Sequence, residues 1–176
     1  MATHRDDDAI RDRVLTGLAR NRAPGFHFIG NFLGLSFDER SKRRARISIP
    51  HGPQLEEADG QANFGIVALL ADLALAASIR ARLDPATRLA TVSMHLQLTG
   101  VPLTGPLDAT GWFEGFLEGS KGRQGLARFA LNAGGRKAMF GSGAFMALDP
   151  PPGVRLRAVS NPGTDRKSTR LNSSHL

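Results

Sequence analysis

The sequence predicts an α+β domain: an antiparallel sheet wrapped around one long central helix, preceded by a short helix. Three observations predict it. Residues 61–83, QANFGIVALLADLALAASIRARL, are the longest apolar run in the chain. At helical pitch Ile66, Val67, Leu69, Leu70, Leu73, Leu75 and Ile79 point in every direction, which marks a buried helix rather than one laid on a surface. Residues 91–98 alternate without a break. Thr91, Ser93, His95 and Gln97 take one face and Val92, Met94, Leu96 and Leu98 the other, the pattern of a strand with one face on a core. After residue 106, three apolar stretches are separated by short glycine turns, the sign of an antiparallel meander. A single helix that is apolar on all sides has to be enclosed by its sheet.

The chain has 176 residues, 41% of them hydrophobic and 22% charged, enough for one domain with a sizeable core. Its extent divides into residues 1–29, a helix and linker, residues 30–150, the domain proper, and residues 151–176, a loose tail. Residues 165–175, DRKSTRLNSSH, resemble the in-frame translation of a common sequencing adapter and are set aside as an artefact. They carry three cations less one acid, so +5 of the formal +7 belongs to the rest. That balance suits an anionic partner without choosing between a phosphorylated ligand and nucleic acid. With no tyrosine and one tryptophan, stacking platforms for single-stranded nucleic acid are few, and no nucleic-acid partner is expected. No cysteine is present, which excludes disulfides and thiolate chemistry. The opening MATHRDDD lacks the apolar core of a signal peptide, so the expected compartment is the cytoplasm.

Residues 6–20 read as an amphipathic helix with Ile10, Val14, Leu15 and Leu18 on one stripe, opened by aspartates and closed by Arg20 and Arg22. Pro24 and Gly25 end it. Two strands are expected at 30–38 and 43–49, joined by a charged turn. The cluster Arg40, Lys42, Arg43, Arg44 and Arg46 either grips phosphates or simply solvates that turn. His51 lies in the loop 50–60 with no partner apparent in the sequence, and is expected in solvent. Asn63 suits the N-cap of the central helix, and Arg80 and Arg82 suit its negative end. The apolar run is too short between charges to span a bilayer, and Asp72 in its middle would be costly there, so no membrane is expected. A carboxylate in such a helix needs hydrogen bonds or a role. Commonly it is an edge residue reaching water. After the turn at Asp84-Pro85 come the strand 91–98 and then strands at 107–117, 123–131 and 137–148, with Gly141 and Gly143 marking a bulge or a close backbone approach.

Residues 30–148 resemble the hotdog acyl-CoA thioesterases of the phenylacetate-pathway type. That family shows N-x-x-G-x-x-H-G-G before its helix and, six residues later, an aspartate on the helix. Here the frame is Glu57-x-x-Gly60-x-x-Asn63-Phe64-Gly65, with Asp72 after six more residues. Gly60, Gly65 and Asp72 match. Thr91 falls where the family often places a serine or threonine near the acid, and the segment 100–107, with Pro102 and Gly105, resembles its proline-glycine turn. Glu57 stands in place of the asparagine, Asn63 of the histidine and Phe64 of the first glycine.

The resemblance implies a hotdog fold and hydrolysis of acyl-CoA thioesters. Asp72 would act as base or nucleophile and a backbone amide at Phe64 or Gly65, beside Asn63, would face the developing oxyanion; Thr91 would position the acid or water. Gly65 and Asp72 are seven residues apart on one helix, about 10 Å along it, and the family closes that gap with a homodimer, in which one subunit supplies the amide and the other the acid. Dimers of dimers are a further possibility. CoA enters as part of the substrate, with no separate cofactor and no metal. Lys121 and Arg123, with Arg136 and Lys137 behind them, are candidates for its phosphates, or else they solvate turns. The competing reading is an acyl-CoA binding protein that keeps the fold and has lost the reaction. A hydratase is disfavoured because no histidine stands near the helix acid.

Overall fold

The computed structural model describes residues 4–20, 28–119 and 122–149. Two helices, α1 (His4–Arg20) and α2 (Phe28–Leu33), lead into a hairpin of β1 (Ser36–Arg40) and β2 (Arg44–Ile49). The long helix α3 (Phe64–Arg80) follows, and then β3 (Arg88–Leu98), β4 (Leu107–Gly119), β5 (Gly122–Ala133) and β6 (Arg136–Leu148). The six strands form one sheet in the order β1-β2-β4-β5-β6-β3, with every pair antiparallel.

The predicted strand at 30–38 is half wrong. Phe28–Leu33 is helical, and the strand begins only at Ser36. A six-residue apolar run carries no periodicity that separates helix from strand. Here the choice is made by packing: Phe28 and Phe32 stack with ring centroids 6.0 Å apart, and Arg13 of α1 donates to the Phe32 carbonyl at 3.4 Å. The expected meander is present as β4-β5-β6. Its last turn is Gly134-Gly135, with φ of +54° and +79°, a two-residue hairpin loop that requires left-handed backbone at both positions. The strand β3 does not join the meander through its sequence neighbour β4. It pairs with β6 at the far edge.

The helix α3 lies across the sheet. Val67, Leu70, Ala71, Ala74, Leu75, Ser78 and Ile79 are buried, and Ile47, Leu107, Leu131, Met139 and Phe145 complete the core around them. Close seating needs a strand without a side chain at the crossing. A Cβ on Gly111 of β4 would stand 2.1 Å from the Ala74 carbonyl oxygen, and one on Gly125 of β5 would stand 2.5 Å from the Ile79 side chain. The helix is not buried all round as its composition suggests. Ile66, Leu69, Leu73, Ala76 and Ala77, on its other side, are only partly buried. Among the described residues no helix is long and apolar enough to cross a membrane.

Candidate active site

The start of α3 is held by a chain of side-chain hydrogen bonds. Asn63 is the N-cap, and its Oδ1 accepts from the Gly65 amide at 2.9 Å. Its Nδ2 donates to Glu57 Oε1 at 2.6 Å. Glu57 is placed by the tight loop before the helix. Its amide donates to the Gln61 carbonyl at 2.8 Å, and its own carbonyl accepts from the Gly60 amide at 2.9 Å. Gly60 takes φ +77°, a conformation open to glycine and costly for a residue with a Cβ. Asp59 accepts from both the backbone and side-chain nitrogens of Gln61 at 3.0 Å, and those bonds hold its carboxyl below the ordinary range. With Gly65 capped by Asn63, Phe64 N–H is left as a first-turn amide without an acceptor among the described residues. The Phe64 side chain is 49% exposed.

Two turns along, Asp72 is half-buried on the side of α3 away from the deepest core. Its Oδ1 accepts from Thr91 Oγ1 at 2.8 Å. Strict alternation puts Thr91 on the same face as Ser93, and the structure does not. The register between β3 and β6 shifts between Thr91 and Ser93: Thr91 lies opposite Phe145 and Ser93 opposite Ala144. This bulge turns Thr91 toward α3 while Ser93 faces outward, and it leaves Val92 54% exposed at the edge of the sheet. The bulge is what brings hydroxyl and carboxylate together.

The other predicted residues are dispersed. Arg123 donates to Glu118 at 2.6 Å and lies over the Phe116 ring at 4.9 Å, at the end of the sheet near the C-terminus of α3. Arg136 and Lys137 are exposed at the opposite end of the β5–β6 hairpin, about ten strand residues or roughly 33 Å away. One phosphate group cannot meet both sets in one protomer. Lys121 lies outside the described residues, as do residue 150 and the whole tail, 151–176. His51 is not unpartnered: its Nε2 stands 2.8 Å from Glu56 Oε1. His95 is exposed on the outer face, where a groove of about 420 Å³ also opens. Arg128 in that groove is already paired with Glu114 at 2.5 Å and laid over Trp112 at 4.7 Å. Among the described residues no three His, Asp or Glu side chains gather into a set that could hold a metal ion.

No protein-family model matches the chain, and no curated protein matches it either. Solved structures do. The BH2602 protein of Bacillus halodurans, solved with CoA, is 18% identical, with 89% of this chain and 98% of that one covered and a TM-score of 0.69. A thioesterase family protein from Silicibacter pomeroyi is 17% identical, covering 80% of this chain and 98% of its own, with a TM-score of 0.60. A variant of phenylacetic acid degradation protein PaaI from Thermus thermophilus is 18% identical, covering 68% of this chain and 98% of its own, with a TM-score of 0.58. The fold is the hotdog fold. In hotdog terms, α3 is the central helix, and β3 is the free edge of the sheet beside it. At these identities the likeness carries the fold and leaves the chemistry to the residues.

Proposed function

We propose that this hotdog protein hydrolyses acyl-CoA thioesters to the free acid and CoA, with Asp72 as general base or nucleophile. The observation that carries the reading is the hydrogen bond from Thr91 to Asp72, which orients a half-buried carboxylate on the helix flank. A thioester carbonyl gains negative charge when attacked, and an unfilled amide at a helix N-terminus stabilises it. The Phe64 N–H suits that role, since Gly65 N–H is already taken by Asn63. The two groups are eight residues apart on one helix, about 12 Å, so a single protomer does not bring them to one carbonyl. A homodimer joined along the β3 edges, with its two α3 helices adjacent, would supply the acid from one subunit and the amide from the other. It would also cover Val92, 54% exposed, and the half-buried flank of α3.

A second reading is favoured by the same N-cap. If the Asn63 cap and the Glu57 carboxylate together close the helix end to a carbonyl oxygen, the protein binds acyl-CoA without hydrolysing it. One experiment separates the two: thiol release from a chain-length panel of acyl-CoAs, with molar mass followed by light scattering. Hydrolysis by a species of twice the chain mass supports the composite site. Binding without thiol release supports the second reading. A hydrolytically active monomer at micromolar concentration would remove the composite site.

A further inference from the structure

The face of the sheet turned away from α3 carries the groove of about 420 Å³, a volume within the range of small-molecule sites. Its walls are cross-strand partners. His95 of β3 lies opposite Ser142 of β6, Ser142 opposite Arg128 of β5, and Arg128 opposite Trp112 of β4. Residues directly opposite in an antiparallel ladder share a face, so these four point outward together. Two residues along, Ser93, Ala144 and Leu126 make a second row. The floor is β6, whose outward side chains there are the small Ser142 and Ala144. The walls on β3 and β5 stand two strand spacings apart, about 10 Å.

Two irregularities shape this space. The bulge in β3 turns Ser93 into it. On β4 the register with β5 shifts between Phe113 and Gly115, so Glu114 is an extra residue without a partner across the ladder. Its carboxylate accepts from Arg128 Nε at 2.5 Å, and the guanidinium lies 4.7 Å over the Trp112 ring. Both contacts are with β4, so Arg128 is drawn away from β6 and the floor stays uncovered. Bulges re-aim side chains and gather beside functional sites, and here one stands on each side of the groove.

The polar groups left in the groove are mostly donors. Among the described residues no hydrogen bond or ion pair engages the side chains of Ser93, His95 or Ser142. Arg128 gives one N–H of its five to Glu114. Scattered over a flat face, such groups would simply be solvated, but these converge on one concave floor. Leu126 and Ala144, both half-buried, add an apolar surface beside them. Remaining guanidinium N–H groups and hydroxyls suit a carboxylate, and the apolar surface suits a small body attached to it. Glu114 on the wall repels a more highly charged anion such as phosphate.

We infer that this groove binds a small organic monocarboxylate, with Arg128 as its anchor and Ser93, His95 and Ser142 as its hydrogen-bonding wall. The site lies across the sheet from Asp72 and does not rest on the thioesterase reading.

The test is calorimetric titration of the full chain with benzoate, its neutral isostere benzamide and inorganic phosphate, with molar mass followed by light scattering. Wild type is expected to bind benzoate, and benzamide and phosphate each at least about tenfold more weakly. Arg128→Gln should weaken benzoate by about tenfold or more, the loss of a charge-assisted hydrogen bond. Ser142→Leu fills the floor and should abolish binding while leaving Arg128, Glu114 and Trp112 as they are. Arg46→Gln is the control. Arg46 pairs with Asp108 at 3.3 Å outside the groove, and its variant should bind benzoate as wild type does. All three replaced residues are exposed, and a melting scan checks that each variant folds; should Arg128→Gln not fold, Ser142→Leu decides alone. The site is overturned by a wild type that binds no benzoate, or by Arg128→Gln or Ser142→Leu proteins that bind it as wild type does. Benzamide or phosphate bound as tightly as benzoate would overturn the monocarboxylate assignment. A species of four chain masses that leaves benzoate unbound would overturn it as well, since another copy would then close the groove.

Discussion

Asp72→Asn is expected to lower kcat for the best acyl-CoA substrate by at least about 100-fold, the low end for removal of a general base, with little change in ligand binding. The substitution is nearly isosteric, and the amide oxygen can still accept the hydrogen bond that Thr91 Oγ1 now gives to Asp72 at 2.8 Å. What is lost is the ability to take a proton or to attack. The variant should therefore keep the fold and the subunit state of the wild type. Thr91→Ala removes only the orienting hydroxyl and should cost less than Asp72→Asn. Steady-state kinetics on both variants decide the point. An Asp72→Asn protein that releases thiol at nearly the wild-type rate would place the chemistry elsewhere, with Glu57 at the start of the helix as the next carboxylate to replace.

Gly111→Ala is expected to destabilise the protein by about 3 kcal/mol, the upper part of the range for overpacking a tight core. The added methyl would stand 2.1 Å from the Ala74 oxygen and 2.6 Å from its carbonyl carbon. Both are backbone atoms in the middle of α3, and no rotamer change can move them away. Gly111 is also fixed from its own side, paired with Ala45 of β2 and Phe129 of β5. Relief has to come from lifting the helix off the sheet. For a chain of this size the melting temperature should fall by roughly 10 °C. Gly115→Ala in the same strand is the control, since a Cβ there meets nothing within 4 Å, and it should change stability by no more than about 0.5 kcal/mol. Thermal unfolding of the pair checks both. A Gly111→Ala protein that melts with the wild type would mean that α3 is not seated on β4 at this crossing.

Much of this architecture is legible in the chain because its signals are local. The apolar run of α3, the alternation of β3 and the glycine turns of the meander each depend on a few neighbouring residues. What escapes is set by partners far along the chain. The helical turn at Phe28–Leu33 is decided by contacts with α1, and a six-residue run cannot announce that choice. The bulge at Thr91 exists only in the pairing with β6, so alternation puts the hydroxyl on the wrong face. The pairing of Asp72 with Thr91 is reached through the family resemblance and not through any spacing. The resemblance also marks Glu57 and Asn63 as departures, and only the folded loop brings them to bond to one another.

The placement of β3 has a consequence for the order in which the protein can be built during synthesis. A ribosome makes α3 and β3 before any of β4, β5 and β6, yet among the described residues β3 has its ladder with β6 alone and α3 has its main seat on β4 and β5. The most apolar helix of the chain therefore leaves the exit tunnel with β2 already made but before β4 and β5, its main cover, exist. Neither Asp72 nor Thr91 can be held in place until residue 148 has emerged. The β4-β5-β6 meander, made of short-range pairings, has the lowest closure cost of any part of the sheet. Arrested nascent chains ending before Arg136 should thus be cut by protease within α3, and chains extended well past Leu148 should be protected there. Equal protection in both would show that α3 finds shelter without its sheet.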